Sequence, residues 1–125
     1  MKNILLVEDD PFLIDIYTTK LKEEGFSVEV ATGGEEGLKK LREKKFDLLV
    51  LDIVLPKIDG WEILEKIKNA PHQYGGGGLK IIVLSNLGQR EEVEKGLKLG
   101  ATKYLIKAHY TPSEVVEAIK EVLGK

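Results

Sequence analysis

Short apolar runs alternate along this chain with longer amphipathic segments, and this alternation limits the possible fold more than any other feature. Ile4–Val7, Leu48–Leu51 and Ile81–Leu84 are uninterrupted aliphatic runs, typical of strands that are buried on both faces of a parallel sheet. Two further runs are less apolar or shorter: Val28–Val30 alternates with a polar residue, and so does the shorter run around Tyr104–Ile106. This pattern predicts edge strands. Five strands separated by helix-length segments favour a doubly wound α/β sandwich.

Local start and stop signals predict where three of the five helices lie. Asp10 before Pro11 predicts an N-cap followed by proline at the first helical position, and Gly25 predicts the end of that first helix. The segments Thr32–Glu35 and Thr111–Glu114 both fit capping boxes, for the second and fifth helices. The fifth helix carries one apolar stripe, formed by Val115, Val116, Ile119, Val122 and Leu123.

The third and fourth helices differ in how firmly their sequences anchor them. The third is predicted to start near Gly60-Trp61, and one of its faces carries Ile63, Leu64 and Ile67. The fourth, about Gln89–Leu99, has few apolar anchors and contains Gly96. A glycine inside a helix costs about 1 kcal/mol relative to alanine. We therefore expect the fourth helix to be the loosest element.

The pattern as a whole predicts a flavodoxin-like α/β fold with five parallel strands in the order 2-1-3-4-5 and five helices. This order puts the two alternating strands at the edges of the sheet and makes the first and third strands neighbours. With 125 residues the chain is long enough for one core. We therefore expect residues 1–125 to form a single domain.

Composition excludes several classes of function. The chain has no cysteine and a formal net charge of -2, which argues against a disulfide framework, a thiolate zinc site and an electrostatic footprint for nucleic acid. No segment is long and apolar enough to span a bilayer, and Met1–Ile4 leads directly into a strand without a signal peptide. We expect a cytoplasmic protein that contacts neither membrane nor nucleic acid directly.

Chemically useful side chains follow four of the predicted strands. Glu8 and Asp9 come after the first strand, Asp52 after the third, Ser85 at the end of the fourth and Lys107 at the end of the fifth. Ligands of open parallel sheets bind outside the carboxyl ends of the strands, so these side chains are expected to converge there. Three clustered carboxylates need a cation, and this requirement predicts metal-assisted chemistry.

One segment does not fit the alternating pattern. His72–Gly78 ends in four consecutive glycines, Gly75 to Gly78, and has the composition of a flexible linker. A structural or engineered loop is the favoured interpretation. A phosphate-binding nest is the alternative, although neither a helix start nor a P-loop pattern follows the glycines.

Together these residues resemble the receiver domain of bacterial two-component response regulators, in particular single-domain regulators of chemotaxis or sporulation. The resemblance covers essentially the whole chain. The segments that carry it are Ile4–Asp10, Asp47–Gly60, Ile82–Ser85 and Gly100–Lys107. It implies a phosphorelay protein rather than an enzyme, whose phosphodonor is a histidine kinase or a histidine phosphotransfer protein.

The resemblance also implies roles for individual residues. Asp52 matches the aspartate that accepts the phosphoryl group, and Glu8 and Asp9 match the acidic pair that holds Mg²⁺. Magnesium takes about six oxygen ligands, and the backbone carbonyl of Val54 could supply one of them. With Lys107 added, three carboxylates and Mg²⁺ sum to zero charge.

The remaining implied roles concern signal output. Ser85 is expected to donate a hydrogen bond to the phosphoryl group, and Tyr104 matches an aromatic switch residue that turns inward, although an ordinary edge-strand tyrosine remains the alternative. The predicted output is a protein contact through the fourth helix, fifth strand and fifth helix, with a downstream protein as partner. Since only Gly124-Lys125 follow the last helix, we expect a stand-alone receiver without a DNA-binding domain, and a domain excised from a longer protein is the equal alternative.

Two positions depart from the family pattern. Ala108 stands where receivers usually have a proline joined to the lysine by a cis bond, so we expect either a trans bond with an adjusted loop or a strained cis bond. Asn86 stands where a small residue is usual and could narrow access to Asp52.

Two other functions remain to be weighed. An inactive or engineered receiver scaffold is the first alternative, because glycine-rich linkers are common additions. An aspartate-nucleophile phosphatase is less favoured, because Val54 stands where such enzymes need a second aspartate as general acid.

Overall fold

The computed structural model describes residues 1–75 and 77–124. Five strands and five α-helices alternate along them. The strands are β1 (Asn3–Val7), β2 (Ser27–Ala31), β3 (Leu48–Leu51), β4 (Lys80–Ser85) and β5 (Lys103–Ile106). The helices are α1 (Pro11–Glu23), α2 (Gly34–Glu43), α3 (Gly60–Asn69), α4 (Arg90–Lys98) and α5 (Pro112–Leu123). Short 3₁₀ turns cover Pro71–Gln73 and Lys107–His109.

The strands form one parallel sheet in the order β2-β1-β3-β4-β5, which confirms the predicted flavodoxin-like topology. Every residue of β3 is buried, whereas the two edge strands are mostly half-buried. The continuous aliphatic runs therefore mark the inner strands, because helices cover both faces of the sheet there.

Alternate residues of the strands point into two separate apolar cores. Leu5, Leu49 and Val83 belong to the core under α2 and α3, whereas Leu6 and Ile82 belong to the core that α1 and α5 cover. This two-sided burial follows from the period of two along a strand. No α-helix of the described ranges reaches the length and apolar character that crossing a membrane requires.

The helix boundaries confirm most of the predicted caps. The Asp10 side chain accepts a hydrogen bond from the Phe12 N–H at 2.9 Å, and Thr111 and Glu114 form the predicted reciprocal capping box. The capping box predicted for α2 was wrong. Gly33 is the N-cap there, and Glu36 rather than Glu35 accepts a hydrogen bond from the Thr32 N–H at 3.0 Å. The helix starts one residue later than predicted, and the glycine at its N-cap has no side chain with which to form a capping box.

The glycine-rich segment begins with more structure than a flexible linker would have. Pro71–Gln73 form a 3₁₀ turn, and the Tyr74 side chain is buried against the core. The prediction for the glycine run itself falls partly on Gly76, which lies outside the described residues.

Candidate functional site

Backbone hydrogen bonds continue the sheet past the ends of its strands and bring the predicted residues to one edge. The Glu8 N–H donates to the Ala31 carbonyl at 3.0 Å, and the Asp52 N–H donates to the Val7 carbonyl at 3.1 Å. Both carboxylates are therefore fixed in register with neighbouring strands. Glycine at position 60 lets α3 begin close by, because a Cβ there would lie 2.7 Å from the Asp52 carbonyl oxygen.

Three carboxylates meet at this edge. One oxygen each from Glu8, Asp9 and Asp52 can be chosen so that all three atoms lie within 4.8 Å of one another. Glu8 and Asp52 are buried, with 2% and 7% of their surface exposed, whereas Asp9 faces solvent. An all-oxygen donor set of this kind fits a hard divalent cation, which can keep water ligands on the exposed side.

Lys107, which directly follows the edge strand β5, extends its side chain into the same cluster. Its Nζ lies 2.6 Å from Glu8 Oε1 and 2.9 Å from Asp52 Oδ2. Burial alone would lower the pKa of Lys107, but the hydrogen bonds to the two carboxylates outweigh it and raise that pKa above its usual value. The ammonium therefore stays charged and neutralises part of the acidic cluster. The peptide bond from Lys107 to Ala108 is trans, and the two residues open a 3₁₀ turn.

Glu8 is held by more donors than its neighbours. Its Oε2 accepts hydrogen bonds from the N–H groups of Asp9 and Asp10, both at 3.1 Å. Burial nevertheless raises the pKa of Glu8, and the nearby Asp52 charge adds to the rise, against the lowering effect of Lys107 and the backbone donors. Burial therefore disfavours the ionised form of Glu8. A bound cation would favour this ionised form.

The Asp52 carboxylate is buried, and both of its oxygens have partners. Oδ2 bonds to Lys107, and Oδ1 accepts a hydrogen bond from the Val54 N–H at 3.2 Å. The Val54 side chain is 58% exposed at the rim. Val54 therefore lies beside the cluster, and the ligand role of its carbonyl stays a prediction. Asn86 is also exposed.

Ser85 and Tyr104 are joined to each other through Leu87. The fully buried Ser85 accepts a hydrogen bond at its Oγ from the Leu87 N–H at 3.3 Å. The Tyr104 hydroxyl donates to the Leu87 carbonyl at 2.6 Å, and the half-buried ring packs against the core under α3. Tyr104 is thus a half-buried aromatic of an edge strand, and its switch role stays a prediction.

Tyr17 is a site neighbour that the sequence reasoning missed. This α1 residue is 4% exposed, and burial raises the pKa of its hydroxyl, while the charges of Lys107, Glu8 and Asp52 also act on it. Its position in the second turn of α1, which starts beside the acidic pair Glu8 and Asp9, could have indicated that it lies near the site.

The fold and the edge geometry define a class of protein: a doubly wound α/β domain whose sheet edge combines an acidic cluster that could hold a cation with a buried aspartate–lysine pair. Residues 4–120 match the family of response regulator receiver domains. The chain belongs to that family.

Relatives and solved structures agree with this assignment. The chain is 36% identical over 126 residues to the alkaline phosphatase synthesis transcriptional regulatory protein PhoP of Bacillus subtilis, covering 99% of this chain and 49% of that protein. It is also similar to a CheY-like receiver domain protein of Methanospirillum hungatei, with TM-score 0.87, 36% identity and coverage of 99% and 94%.

A third similar structure is the BeF₃-activated receiver domain of DrrB from Thermotoga maritima, with TM-score 0.85, 30% identity and coverage of 100% and 99%. The chain spans about half the length of several of the curated relatives that it matches.

Proposed function

We propose that this protein accepts a phosphoryl group on Asp52 and carries it as a phosphorelay signal. The observation that supports this most strongly is the placement of Asp52. Its buried carboxylate shares a cluster with Glu8 and Asp9, and it lies 2.9 Å from the Lys107 ammonium. A nucleophilic carboxylate beside a fixed cation and a cation-binding cluster is what phosphoryl transfer to aspartate requires.

The transfer would form an acyl phosphate. An Asp52 oxygen attacks the phosphorus of a phosphohistidine, the new P–O bond forms, and the P–N bond breaks with its electron pair going to the imidazole nitrogen. Lys107 neutralises charge on the phosphoryl oxygens and holds the Asp52 carboxylate in place. Ser85 donates a hydrogen bond to one of those oxygens.

Glu8, Asp9, Asp52 and the Val54 carbonyl would hold Mg²⁺. The ion would supply charge neutralisation at the phosphoryl oxygens. The carboxylate oxygens already lie within 4.8 Å of one another, so the donor set fits. Burial raises the pKa of Glu8, and the positive charge of a bound cation would counteract this rise by favouring the carboxylate form.

The partners follow from the same chemistry. The phosphodonor is a histidine kinase or a histidine phosphotransfer protein, and the output surface is formed by α4, β5 and α5, which contacts a downstream protein. The Bacillus relative is named as a transcriptional regulator. Because this chain matches about half of that relative, DNA binding is not part of the function proposed for these residues.

The two alternatives have less support. An inactive scaffold has no need to keep five polar or charged side chains at one sheet edge, and the buried ones would cost stability without a function. A phosphatase needs a positioned proton donor, and the side chain at position 54 is an exposed valine. We infer a phosphoacceptor that is not itself an enzyme.

Phosphorylation can be tested with a small-molecule phosphodonor such as acetyl phosphate in the presence of Mg²⁺. Intact-mass spectrometry should show the gain of one phosphoryl group, and the modification should be labile to hydroxylamine. Asp52→Asn should abolish the gain. Asp59→Asn is the matched control, since Asp59 only caps α3 by accepting a hydrogen bond from the Glu62 N–H. Equal labelling of wild type and Asp52→Asn would contradict the proposal.

A further inference from the structure

Gly96 lies where the ring of Tyr104 takes the place of a side chain. A Cβ built on Gly96 would come within 2.6 Å of Tyr104 Cδ2 and 2.9 Å of Cε2. These distances are shorter than any ordinary carbon contact, so an alanine at position 96 and the ring in its present position exclude each other. The buried glycine forms a notch in α4 that the tyrosine fills.

The ring in this notch is connected to the phosphoacceptor edge. The Tyr104 hydroxyl bonds to the Leu87 carbonyl at 2.6 Å, and the Leu87 N–H bonds to Ser85 Oγ at 3.3 Å. Burial raises the pKa of the Tyr104 hydroxyl, and the charges of Glu92 and Asp52 raise it further, against a smaller lowering effect of the Ser85 hydroxyl, so the Tyr104 hydroxyl stays protonated and able to donate. The ring position thus fixes the loop residue Leu87, whose N–H donates to the Oγ of Ser85 at the end of β4.

The rest of α4 is weakly held, so this contact carries unusual weight. Gly96 is the one buried residue of α4 among those described. Two further contacts link α4 to α3: the exposed Lys68 ammonium donates a hydrogen bond to the Lys98 carbonyl at 3.2 Å, and the Lys95 ammonium lies over the Trp61 ring, 4.4 Å from its centroid. Such a cation–π contact at a partly exposed site is weak. Tyr104 in the notch is therefore a principal link between α4 and the sheet.

We propose that Gly96 is a positioning residue for the switch: by carrying no side chain it admits the Tyr104 ring, and through Tyr104 and Leu87 it sets the position of Ser85. The glycine, which weakens α4 as an isolated helix, is thus the condition for joining α4 to the phosphoryl site. The claim that Gly96 admits the Tyr104 ring is independent of the proposed function. The claim that it sets the position of Ser85 for the switch rests on that function.

A double-mutant cycle tests the structural part. Gly96→Ala should favour folding about fivefold in a Tyr104→Ala background, because alanine is the better helix former. In the wild-type background the same change should be at least about fivefold less favourable, because the ring must leave the notch. Urea unfolding of the four proteins gives both ratios. The same ratio in both backgrounds would overturn the proposal.

Binding of beryllofluoride with Mg²⁺, followed by amide NMR, tests the link to the site. Gly96→Ala should weaken binding by about two- to tenfold, the worth of one hydrogen bond, and should shift the Leu87 amide signal before any ligand is added. Glu91→Ala, an exposed position on the same helix, is the matched control and should change neither. Unchanged affinity in Gly96→Ala would overturn the link to Ser85. Failure of wild type to bind would contradict the proposed function, and the unfolding cycle would still decide whether the notch exists.

Discussion

Two clusters in this molecule pair a glutamate with lysine, and the pKa values of the two glutamates shift in opposite directions. The buried cluster consists of Glu8, Asp52 and Lys107, whose side chains are 2%, 8% and 13% exposed. The surface cluster joins Glu29 to Lys40 and Lys44, with exposed fractions of 32%, 28% and 47%. The contacts are similar in kind, but the clusters differ in burial and in composition, because two carboxylates share one lysine in the buried cluster and one carboxylate has two lysines at the surface.

Burial reverses the direction of the glutamate pKa. In the surface cluster the hydrogen bond from Lys44, with help from Lys40, lowers the pKa of Glu29. In the buried cluster the loss of water around Glu8 outweighs its lysine partner, and its pKa rises. The comparison shows that the surface cluster is an ordinary salt bridge, whereas the buried one is a costly charge arrangement suited to binding a cation.

Removal of the lysine should separate the clusters most clearly. Lys107→Met leaves two buried carboxylates without their counter-ion and is expected to cost about 3 kcal/mol of unfolding free energy without divalent cations. Lys44→Met should cost less than about 1 kcal/mol. Urea unfolding with a chelator present measures both. Equal, small losses would show that burial does not distinguish the clusters.

Magnesium should stabilise the protein through the buried cluster alone. At a hundredfold excess over its dissociation constant, a ligand that binds only the folded state adds about 2.7 kcal/mol. Asp9→Asn, which removes an exposed carboxylate from the cluster, should weaken this gain, and Glu29→Gln should leave it unchanged. Thermal unfolding across a Mg²⁺ titration provides the measurement. A gain that survived Asp9→Asn in full would place the ion elsewhere.

The pH dependence of stability should have opposite signs at Glu8 and Glu29. The folded-state pKa of Glu8 lies above the usual 4.5, so the folded protein holds the proton more tightly, and stability falls as pH rises from about 4.5 through that pKa. The pKa of Glu29 lies below 4.5, so its contribution is present above about pH 4.5 and is lost as pH falls through the folded-state value.

This sign difference is measurable as two difference curves. In cation-free buffer, the stability of wild type minus that of Glu8→Gln should decrease with rising pH. The stability of wild type minus that of Glu29→Gln should increase. Parallel curves would contradict the assigned directions.

Salt should produce the smallest effect. Raising NaCl from about 0.1 M to 1 M shortens the screening length from about 10 Å to 3 Å, which should remove a few tenths of a kcal/mol from the surface cluster. Salt screens buried charges less than exposed ones, so the contribution of the buried cluster to stability should change less. Unfolding of Lys44→Met and Lys107→Met at both salt concentrations gives the two differences to compare.

The sequence predicted the candidate site better than it predicted the contacts within it. Glu8, Asp9, Asp52, Ser85 and Lys107 were chosen because they end strands, and the structure places all of them at one edge, although their roles stay predictions. Tyr17 was missed because nothing local distinguishes a core tyrosine from one beside a charge cluster. The capping box of α2 was wrong because Thr32 and Glu35 fit the local pattern, whereas the helix begins after Gly33.

Gly96 shows the same limit in a single residue. Its effect on α4 as an isolated helix could be read from the sequence, since helix propensity is local. The contact between Gly96 and the Tyr104 ring could not be predicted, because Tyr104 belongs to another element, eight residues further along the chain.

The sequence alone therefore determined the elements, their order in the sheet and the residues that the strand ends present, because period, caps and turn residues act within a few positions. Only the tertiary structure decided that Lys107 bonds to Glu8, 99 residues away, and to Asp52, 55 residues away. It also decided the trans bond to Ala108 and the fit of Tyr104 against α4. These features depend on how packed layers bring distant side chains within a few ångströms, and that distance is not encoded in any local pattern.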